Sequence, residues 1–190
     1  MSFYGKIAVK IKGLTPLLMD RLDPETLKSK AKMRTEERSV EEQAVRSAYR
    51  AVIDDKEQLF IPAEAVYSIL IGSSGIYKIG RMSASRVLAG SVHIEPEKIP
   101  LGTNEYEVDV RAINTRQSGR ILKGRAKIPS WEATFTLVYD KTIIPAAFAK
   151  DLKEILDTGG RRTGLLSYRP QHKGWFGTFT VEKFEEVETQ

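Results

Sequence analysis

Apolar and polar residues alternate along several stretches of the chain, and this two-residue period predicts β-strands with one buried face. In "YGKIAVKIKG", Ile7, Val9 and Ile11 alternate with positions that include three lysines. The clearest alternation is in "SWEATFTLVYD", and "GTFTVEKF" predicts a closing strand with its own core residues. "SVHIEP" predicts a further short strand.

Two stretches have apolar residues at helical spacing. "LFIPAEAVYSILIG" predicts a short strand that leads into a helix, with Pro62 in the first helical turn. "IPAAFAKDLKEILDTGG" predicts an amphipathic helix with an inward face of Phe148, Leu152, Ile155 and Leu156. Gly159 and Gly160 follow its last apolar residue, and we expect them to form its C-terminal cap.

Without the insertions, the predicted order is strand, helix, strand, strand, helix, strand. This order predicts an α+β fold with a ferredoxin-like (RRM-type) βαββαβ sheet, in one RRM-like domain spanning residues 1–190. The two helices would cover one face of the sheet. The other face would be left for a ligand, for the insertions or for a neighbouring subunit.

The first predicted insertion is a charged helical arm at residues 20–57. Asp23 and Pro24 suit the start of one helix, and Ser39 with Glu42 forms a capping-box pattern for a second helix that runs to about Ile53. Few apolar residues precede Arg38. The arm is therefore either protruding or mobile, or it is a plain pair of surface helices.

The second predicted insertion is a basic β-hairpin at residues 107–128, with its tip near residues 117–119. Apart from Glu107 and Asp109 at its start, it lies in a region without acidic residues that extends from Val110 to Trp131. A second such region runs from Ala65 to Ile94, and the opening stretch is a third. The net charge of +5 is thus distributed in basic segments, which favours a polyanionic partner. The alternative is a set of solvated basic loops.

The composition also excludes several chemistries. With no cysteine, the chain has neither disulfides nor thiolate metal sites, and its two histidines are far apart in sequence. We therefore expect no cofactor and no metal. No segment has the roughly 18–20 consecutive apolar residues of a membrane span, and the N-terminus lacks the pattern of a signal peptide. These features predict a cytoplasmic protein that has no membrane partner.

The stretch "TGGRRTGLLSYRPQHKGWFGTFTVEKF" combines five glycines with five Arg or Lys residues. It matches neither a Walker A loop nor a dinucleotide-binding fingerprint, because the required lysine motif and the preceding strand are both missing. Cations beside exposed aromatic rings are the combination that single-stranded nucleic acids prefer. Trp175 suits an exposed position and the core equally, whereas Phe176 favours the core. The remaining alternative is an ordinary basic loop.

Evidence for catalysis is weaker. His172 is a candidate general acid or base with Tyr168 and Lys173 nearby, although a lone histidine among cations more often binds than catalyses. No serine, histidine and aspartate arrangement is indicated. The sequence therefore does not require an enzyme.

Three blocks carry a family resemblance: "KIKGLTPLLM", "LFIPAEAVYSIL" and the glycine-rich turn before the last strand. They resemble the RAMP superfamily of RRM-like proteins, and within it the backbone subunits of CRISPR surveillance complexes. That family opens its first helix with an "IPGSSLKG"-like segment. Pro62 matches this segment, but Ala63 and Glu64 replace the small residues. The resemblance implies binding of single-stranded RNA or DNA and head-to-tail assembly.

Two further blocks, "KGRAKIPSWEATFTLVYD" and "YRPQHKGWFGTFTVEKF", resemble a group of phage and prophage proteins. That group shares a P-x-W strand start and a glycine- and phenylalanine-rich ending. It implies no function for particular residues.

The leading prediction is a non-enzymatic protein that binds single-stranded DNA or RNA without sequence preference and forms a homo-oligomer or filament along the strand. The alternatives are a RAMP-type endoribonuclease that uses His172, or a viral structural or assembly protein. The predicted nucleic-acid-binding residues are Lys78, Arg81, Arg86, Arg111, Arg116, Arg120, Lys123, Arg125, Arg161, Arg162, Tyr168, Arg169, His172, Lys173 and Trp175.

Overall fold

The computed structural model describes residues 3–22, 39–115 and 119–187. In chain order, the strands are β1 (Tyr4–Gly13), β2 (Leu17–Leu18), β3 (Arg50–Ile53), β4 (Lys56–Pro62), β5 (Lys78–Ile79), β6 (Met82–Ser83), β7 (Val92–Glu95), β8 (Lys98–Pro100), β9 (Glu107–Thr115), β10 (Gly119–Ile128), β11 (Glu132–Asp140) and β12 (Phe179–Val187). The helices are α1 (Val40–Ser47), α2 (Ala63–Ser73), α3 (Ala84–Leu88) and α4 (Ala146–Arg162), with 3₁₀ turns at Ser74–Ile76 and Pro170–His172.

The central element is a four-stranded antiparallel sheet with the order β12-β1-β11-β7. Strands β1 and β11 pair along their whole length, with Ile7 opposite Leu137 and Ile11 opposite Ala133. These residues are buried, because the alternation in both strands places one apolar face against the helices. The structure thus confirms the α+β class and the four principal predicted strands.

The opposite face of this sheet carries ion pairs between its strands. Lys6 pairs with Glu95 at 3.3 Å, and Lys10 pairs with Glu132 at 2.9 Å. Lys12 reaches Glu182 on β12 at 3.6 Å. The lysines that alternate along β1 therefore already have carboxylate partners within the sheet.

Helix α4 continues one half-turn beyond the predicted glycine cap, so that prediction is wrong. Gly159 and Gly160 are buried within the helix. A Cβ on Gly159 would overlap Ile69 and Ser73 of α2, and a Cβ on Gly160 would overlap the Phe179 ring. The two glycines let α4 approach α2 and β12 closely. This packing explains why both glycines lie inside the helix.

The helix ends instead at Thr163 and Gly164. Gly164 has a φ of +71°, the left-handed conformation that glycine adopts without strain. The Gly159 carbonyl accepts hydrogen bonds from the Thr163 N–H at 2.8 Å and the Gly164 N–H at 3.2 Å.

The second helix of the predicted arm is shorter than expected. Helix α1 has the predicted capping box, because the Glu42 N–H donates to Ser39 Oγ and the Ser39 N–H donates to the Glu42 carboxylate. It ends at Ser47, however, and the chain then forms the β3–β4 hairpin where helix was expected to reach about Ile53. The first predicted helix, with Asp23 and Pro24, falls outside the described residues.

Packing explains why α1 stops. The Ser47 hydroxyl donates to the Ala44 carbonyl at 2.7 Å and accepts the Ala126 N–H of β10 at 2.9 Å. The Tyr49 ring then packs edge-on against Phe60, with their centres 5.7 Å apart. These contacts fix Ser47 on β10 and favour an extended chain beyond it.

The basic hairpin forms as predicted from β9 and β10, which pair from Glu107–Lys127 to Thr115–Gly119. Of its predicted tip at residues 117–119, residues 117 and 118 lie outside the described residues, and Gly119 begins β10. The short strand β2 pairs with the base of β10, and Gly124 lets α1 approach the same strand. Val108, Val110 and Leu122 remain exposed on the hairpin.

Candidate nucleic-acid interface

The glycine-rich stretch forms a loop, residues 163–178, that is bonded to the body of the protein. The Leu165 N–H donates to the Gly177 carbonyl at 2.8 Å, and the Gly177 N–H donates to the Pro16 carbonyl at 2.8 Å. The Phe176 N–H donates to the Tyr168 carbonyl at 3.1 Å. Because Leu165 and Phe176 are buried, the loop has an apolar base and a fixed outer surface.

Three residues of this loop other than glycine have left-handed backbone conformations. The φ angles are +58° at Leu166, +54° at Tyr168 and +61° at Lys173. Such conformations cost free energy in residues with a Cβ and cluster at functional sites. The loop therefore adopts this shape at a cost to stability, as is common where a backbone holds functional side chains.

Two aromatic rings are presented outward. Trp175 is 54% exposed and Tyr168 is 41% exposed, whereas Phe176 is 1% exposed. The Phe176 ring packs against the Trp175 ring, with ring centres 4.7 Å apart and an angle of 31° between the planes. The structure thus resolves the alternative left open for Trp175, which lies at the surface, and confirms the core position favoured for Phe176.

Cations flank these rings. The Arg169 Nη1 donates to the Leu166 carbonyl at 2.9 Å, while its Nε and Nη2 donate to the Gln171 amide oxygen at 3.1 and 3.0 Å. Neutral oxygens thus hold the guanidinium, and its charge is not compensated by a carboxylate among the described residues. His172 and Lys173 follow, both exposed. We call Tyr168, Arg169, His172, Lys173 and Trp175 the loop surface.

A cleft of about 750 Å³ separates this loop from the start of α2. Arg169 and His172 line the loop side, together with Tyr168. Asp20 and Glu64 line the opposite side. The cleft therefore has one cationic wall and one carboxylate wall.

Arg111 joins the hairpin to the loop. Its Nε and Nη2 donate to the two carboxylate oxygens of Asp109 at 2.7 and 3.1 Å. The guanidinium carbon lies 5.4 Å from the Tyr168 ring centre and 4.9 Å from that of Phe176. The Asp109 hydrogen bonds hold the pKa of Arg111 above its usual value. Its charge is engaged internally.

Two other hairpin cations converge on Asp20. The Lys123 ammonium lies 2.7 Å from the carboxylate, and Arg125 Nε lies 3.1 Å from it. Arg125 is buried, and its Nη1 has no hydrogen-bond partner among the described residues. This cluster anchors the hairpin to the chain that follows β2.

Arg161 and Arg162 lie on the last turn of α4, and both are exposed. Arg161 pairs with Asp157 at 2.7 Å. Burial favours a higher pKa for Asp157, but hydrogen bonds from the Val181 N–H and the Thr180 hydroxyl, together with Arg161, lower the pKa below its usual value. Arg162 is the freer of the two arginines.

The remaining predicted cations lie on other elements. Lys78 begins β5, Arg81 lies in the turn before β6, and Arg86 lies on α3. These three residues and Arg120 of β10 are exposed and have no ion-pair partner within the described ranges. Arg116 falls outside the described residues. The structure thus groups the five residues of the loop surface on one loop, while the other cations occupy separate elements.

Sequence reasoning missed the carboxylate wall of the cleft. In the sequence, Glu64 is marked only by its position at the start of a predicted helix, which does not predict that its carboxylate lines a cleft. Asp20 is the first residue of the predicted charged arm, and the sequence gives no sign of its contact with β10. Across residues 3–22, 39–115 and 119–187, no group of three acidic or histidine side chains is placed to hold a metal ion.

No protein-family model matches the chain, and no curated protein is significantly similar to it. A solved structure with a similar fold is a chain in the cryo-EM structure of the type III-B Cmr-beta bound to cognate target RNA. The TM-score is 0.59 and the sequence identity is 14% over 97% of this chain. This protein spans 61% of the length of that chain. The likeness is one of fold. None of the helices in the described part of the protein is long and apolar enough to cross a membrane.

Proposed function

We propose that this protein binds single-stranded nucleic acid through the loop surface. One observation carries the proposal: two exposed aromatic rings stand beside three basic side chains on a loop whose base is buried and hydrogen-bonded. Rings held in place lose little entropy when a base stacks on them. Cations near them attract the phosphates of the same strand.

Stacking and charge have complementary roles in this proposal. A base stacked on an aromatic side chain contributes about 1–3 kcal/mol and every base has a suitable face, so stacking does not require a particular sequence. Lys173 and Arg169 supply the salt-dependent part of the affinity. Arg162, Lys78, Arg81, Arg86 and Arg120 are proposed as further phosphate contacts along the strand, and Arg161 as a weaker one.

The fold supports this proposal. We assign the four-stranded sheet to the ferredoxin-like type on the basis of its strand order and of the two helices packed on one face. RRM domains bind RNA with aromatic residues on the open face of the sheet. Here that face carries lysines already paired with glutamates, so we assign binding to the loop instead. The Cmr-beta chain of similar fold belongs to a structure that contains RNA.

Assembly along the strand is the second part of the proposal. The hairpin exposes Val108, Val110 and Leu122, a row of apolar side chains on the β9–β10 pair. Apolar residues exposed together on one surface often mark an interface. Arg111, Lys123 and Arg125 hold this hairpin through internal ion pairs, and we assign them to its support.

Fluorescence anisotropy tests the proposal with labelled single strands of about 30 nucleotides, as RNA and as DNA, and with the matching duplex. We expect the single strands to bind more tightly than the duplex, with an affinity that falls steeply as salt increases. Native mass spectrometry of the same mixtures measures how many copies bind each strand.

Other outcomes identify the alternatives. If no strand binds at low salt and oligomers form without nucleic acid, the protein is a structural or assembly component. Loss of full-length RNA during the incubation, prevented by His172→Ala, identifies an endoribonuclease.

A further inference from the structure

The two walls of the cleft differ in charge, with cations on one side and carboxylates on the other. A nucleotide complements both, because its phosphate is an anion and its base carries hydrogen-bond donors. Arg169 on the loop wall is held by Leu166 and Gln171, so its position is fixed before a ligand arrives. His172 lies on the same wall. A phosphate suits this side, because anions bind best to cations that need no reorganisation.

The opposite wall offers one carboxylate that is available for a ligand. Asp20 already receives Lys123 and Arg125, at 2.7 and 3.1 Å. Glu64, in the first turn of α2, is exposed, and its carboxylate accepts no hydrogen bond from the described residues. An ionised carboxylate only accepts hydrogen bonds, so Glu64 selects a group with donors.

The bases differ in the donors on their Watson–Crick edges. Guanine presents two adjacent donors, N1–H and N2–H, which match both oxygens of one carboxylate. Adenine and cytosine each present an amino group next to a ring acceptor, and uracil presents one N–H between two carbonyls. Guanine is therefore the only one of these bases with two neighbouring donors that can both bond to one carboxylate. In the other bases, an acceptor next to the donor would face the second carboxylate oxygen and repel it.

The size and the remaining lining suit the same ligand. A volume of about 750 Å³ is within the range of small-molecule sites and holds one nucleotide. Pro62 and the Tyr168 ring contribute apolar surface to the cleft. A base can enter between the walls while its phosphate stays at the loop surface.

We propose that the cleft binds the base of a guanine nucleotide, with Glu64 accepting hydrogen bonds from N1–H and N2–H and with Arg169 and His172 contacting its phosphate. This inference rests on the proposed function, since the loop surface would deliver the strand to the cleft. It adds a preference at one position to binding that is otherwise independent of sequence.

The test uses strands of about 12 uridines that contain one central guanine, adenine or cytosine, with an all-uridine strand as reference. Anisotropy is measured for the wild type, Glu64→Met and Glu41→Met. Glu41 is a matched control, because it is also an exposed glutamate in the first turn of a helix and does not line the cleft. Binding of free GMP, AMP, CMP and UMP is measured by calorimetry.

We expect the guanine strand to bind the wild type about tenfold more tightly than the other strands. Glu64→Met should remove this preference and keep the affinity for the all-uridine strand, and Glu41→Met should keep both. Equal affinity of the wild type for all four strands overturns the guanine pocket and leaves the proposed function intact.

If no strand binds, the proposed function fails. Calorimetry with the mononucleotides then tests whether the cleft binds guanine. Selective binding of GMP that is lost in Glu64→Met then supports a site for the free nucleotide. Absence of any GMP preference overturns it.

Discussion

The guanidinium carbon of Arg111 lies 4.9 Å from the centre of the Phe176 ring, so that a hairpin residue rests on the buried base of the glycine-rich loop. Asp109 holds the same guanidinium through two hydrogen bonds. The hairpin and the loop surface are thereby joined by one side chain. Arg111, predicted as a nucleic-acid contact, is placed by the structure between two protein elements.

Arg111→Lys should therefore destabilise the fold although it keeps the charge. An ammonium cannot form the two-pronged pair with Asp109 or stack flat on the rings, and we expect a loss of about 1–2 kcal/mol in the free energy of unfolding. Chemical denaturation measures it. Arg120→Lys on the same hairpin is the control and should be neutral, because Arg120 is exposed. Equal stability of both variants would show that the stacking contributes nothing.

Trp175 and Phe176 are neighbours in sequence with opposite environments, so their alanine variants should separate binding from folding. Trp175→Ala should leave stability within about 0.5 kcal/mol and weaken strand binding about tenfold. Phe176→Ala should cost about 3–5 kcal/mol of stability, because it empties a buried site. Thermal unfolding and anisotropy measure the two effects. Unchanged affinity in a folded Trp175→Ala variant removes the ring from the interface.

Lys173→Ala should reduce the salt dependence of binding. A lost phosphate contact lowers the slope of log affinity against log salt by about 0.7 for a single strand. Lys127→Ala is the matched control, because the Lys127 ammonium pairs with Glu107 at 2.6 Å and is not among the proposed phosphate contacts. Salt titrations of both variants measure the slopes. The same slope in wild type and Lys173→Ala contradicts a phosphate contact at this residue.

Gly159→Ala and Gly72→Ala should change stability in opposite directions. A methyl group at Gly159 overlaps Ile69 and Ser73, and we expect a loss of about 1–3 kcal/mol. Gly72 is an exposed residue of α2 with no atom near an added Cβ, so alanine should stabilise the helix by about 0.5–1 kcal/mol. Denaturant unfolding measures both. Stabilisation by Gly159→Ala would mean that the two helices separate readily.

Asp157 should stabilise the fold in a pH-dependent manner. Its pKa is lowered in the folded state, because hydrogen bonds from Val181 and Thr180 and the charge of Arg161 outweigh the effect of burial. The stabilisation is therefore present above the unfolded pKa and is lost as the pH falls through the lower folded pKa. Asp157→Asn should be less stable than the wild type at neutral pH. The difference should shrink below about pH 4, and a constant difference across the titration would contradict this role.

Much of the framework could be predicted from periodicity. The alternation in β1, β11 and β12 and the apolar faces of α2 and α4 are local signals, and each predicted the element that the structure contains. The pattern was less informative at element ends. The charged residues before Ile53 favour a helix that continues to about that residue, whereas Ser47 stops α1 through a hydrogen bond to β10. That partner is 79 residues away in sequence.

That cations and aromatic rings occur together between Thr163 and Thr178 is visible in the sequence alone, because neighbours on one loop remain neighbours after folding. The sequence favours the core for Phe176 but leaves the position of Trp175 open. In the folded protein Phe176 is buried against Arg111 of the hairpin, and Trp175 is exposed. Only the tertiary structure paired Asp20 with Lys123 and placed Glu64 across a cleft from Arg169. Residues that are more than a hundred positions apart in sequence meet only when the strands between them have paired. No local sequence pattern predicts such contacts.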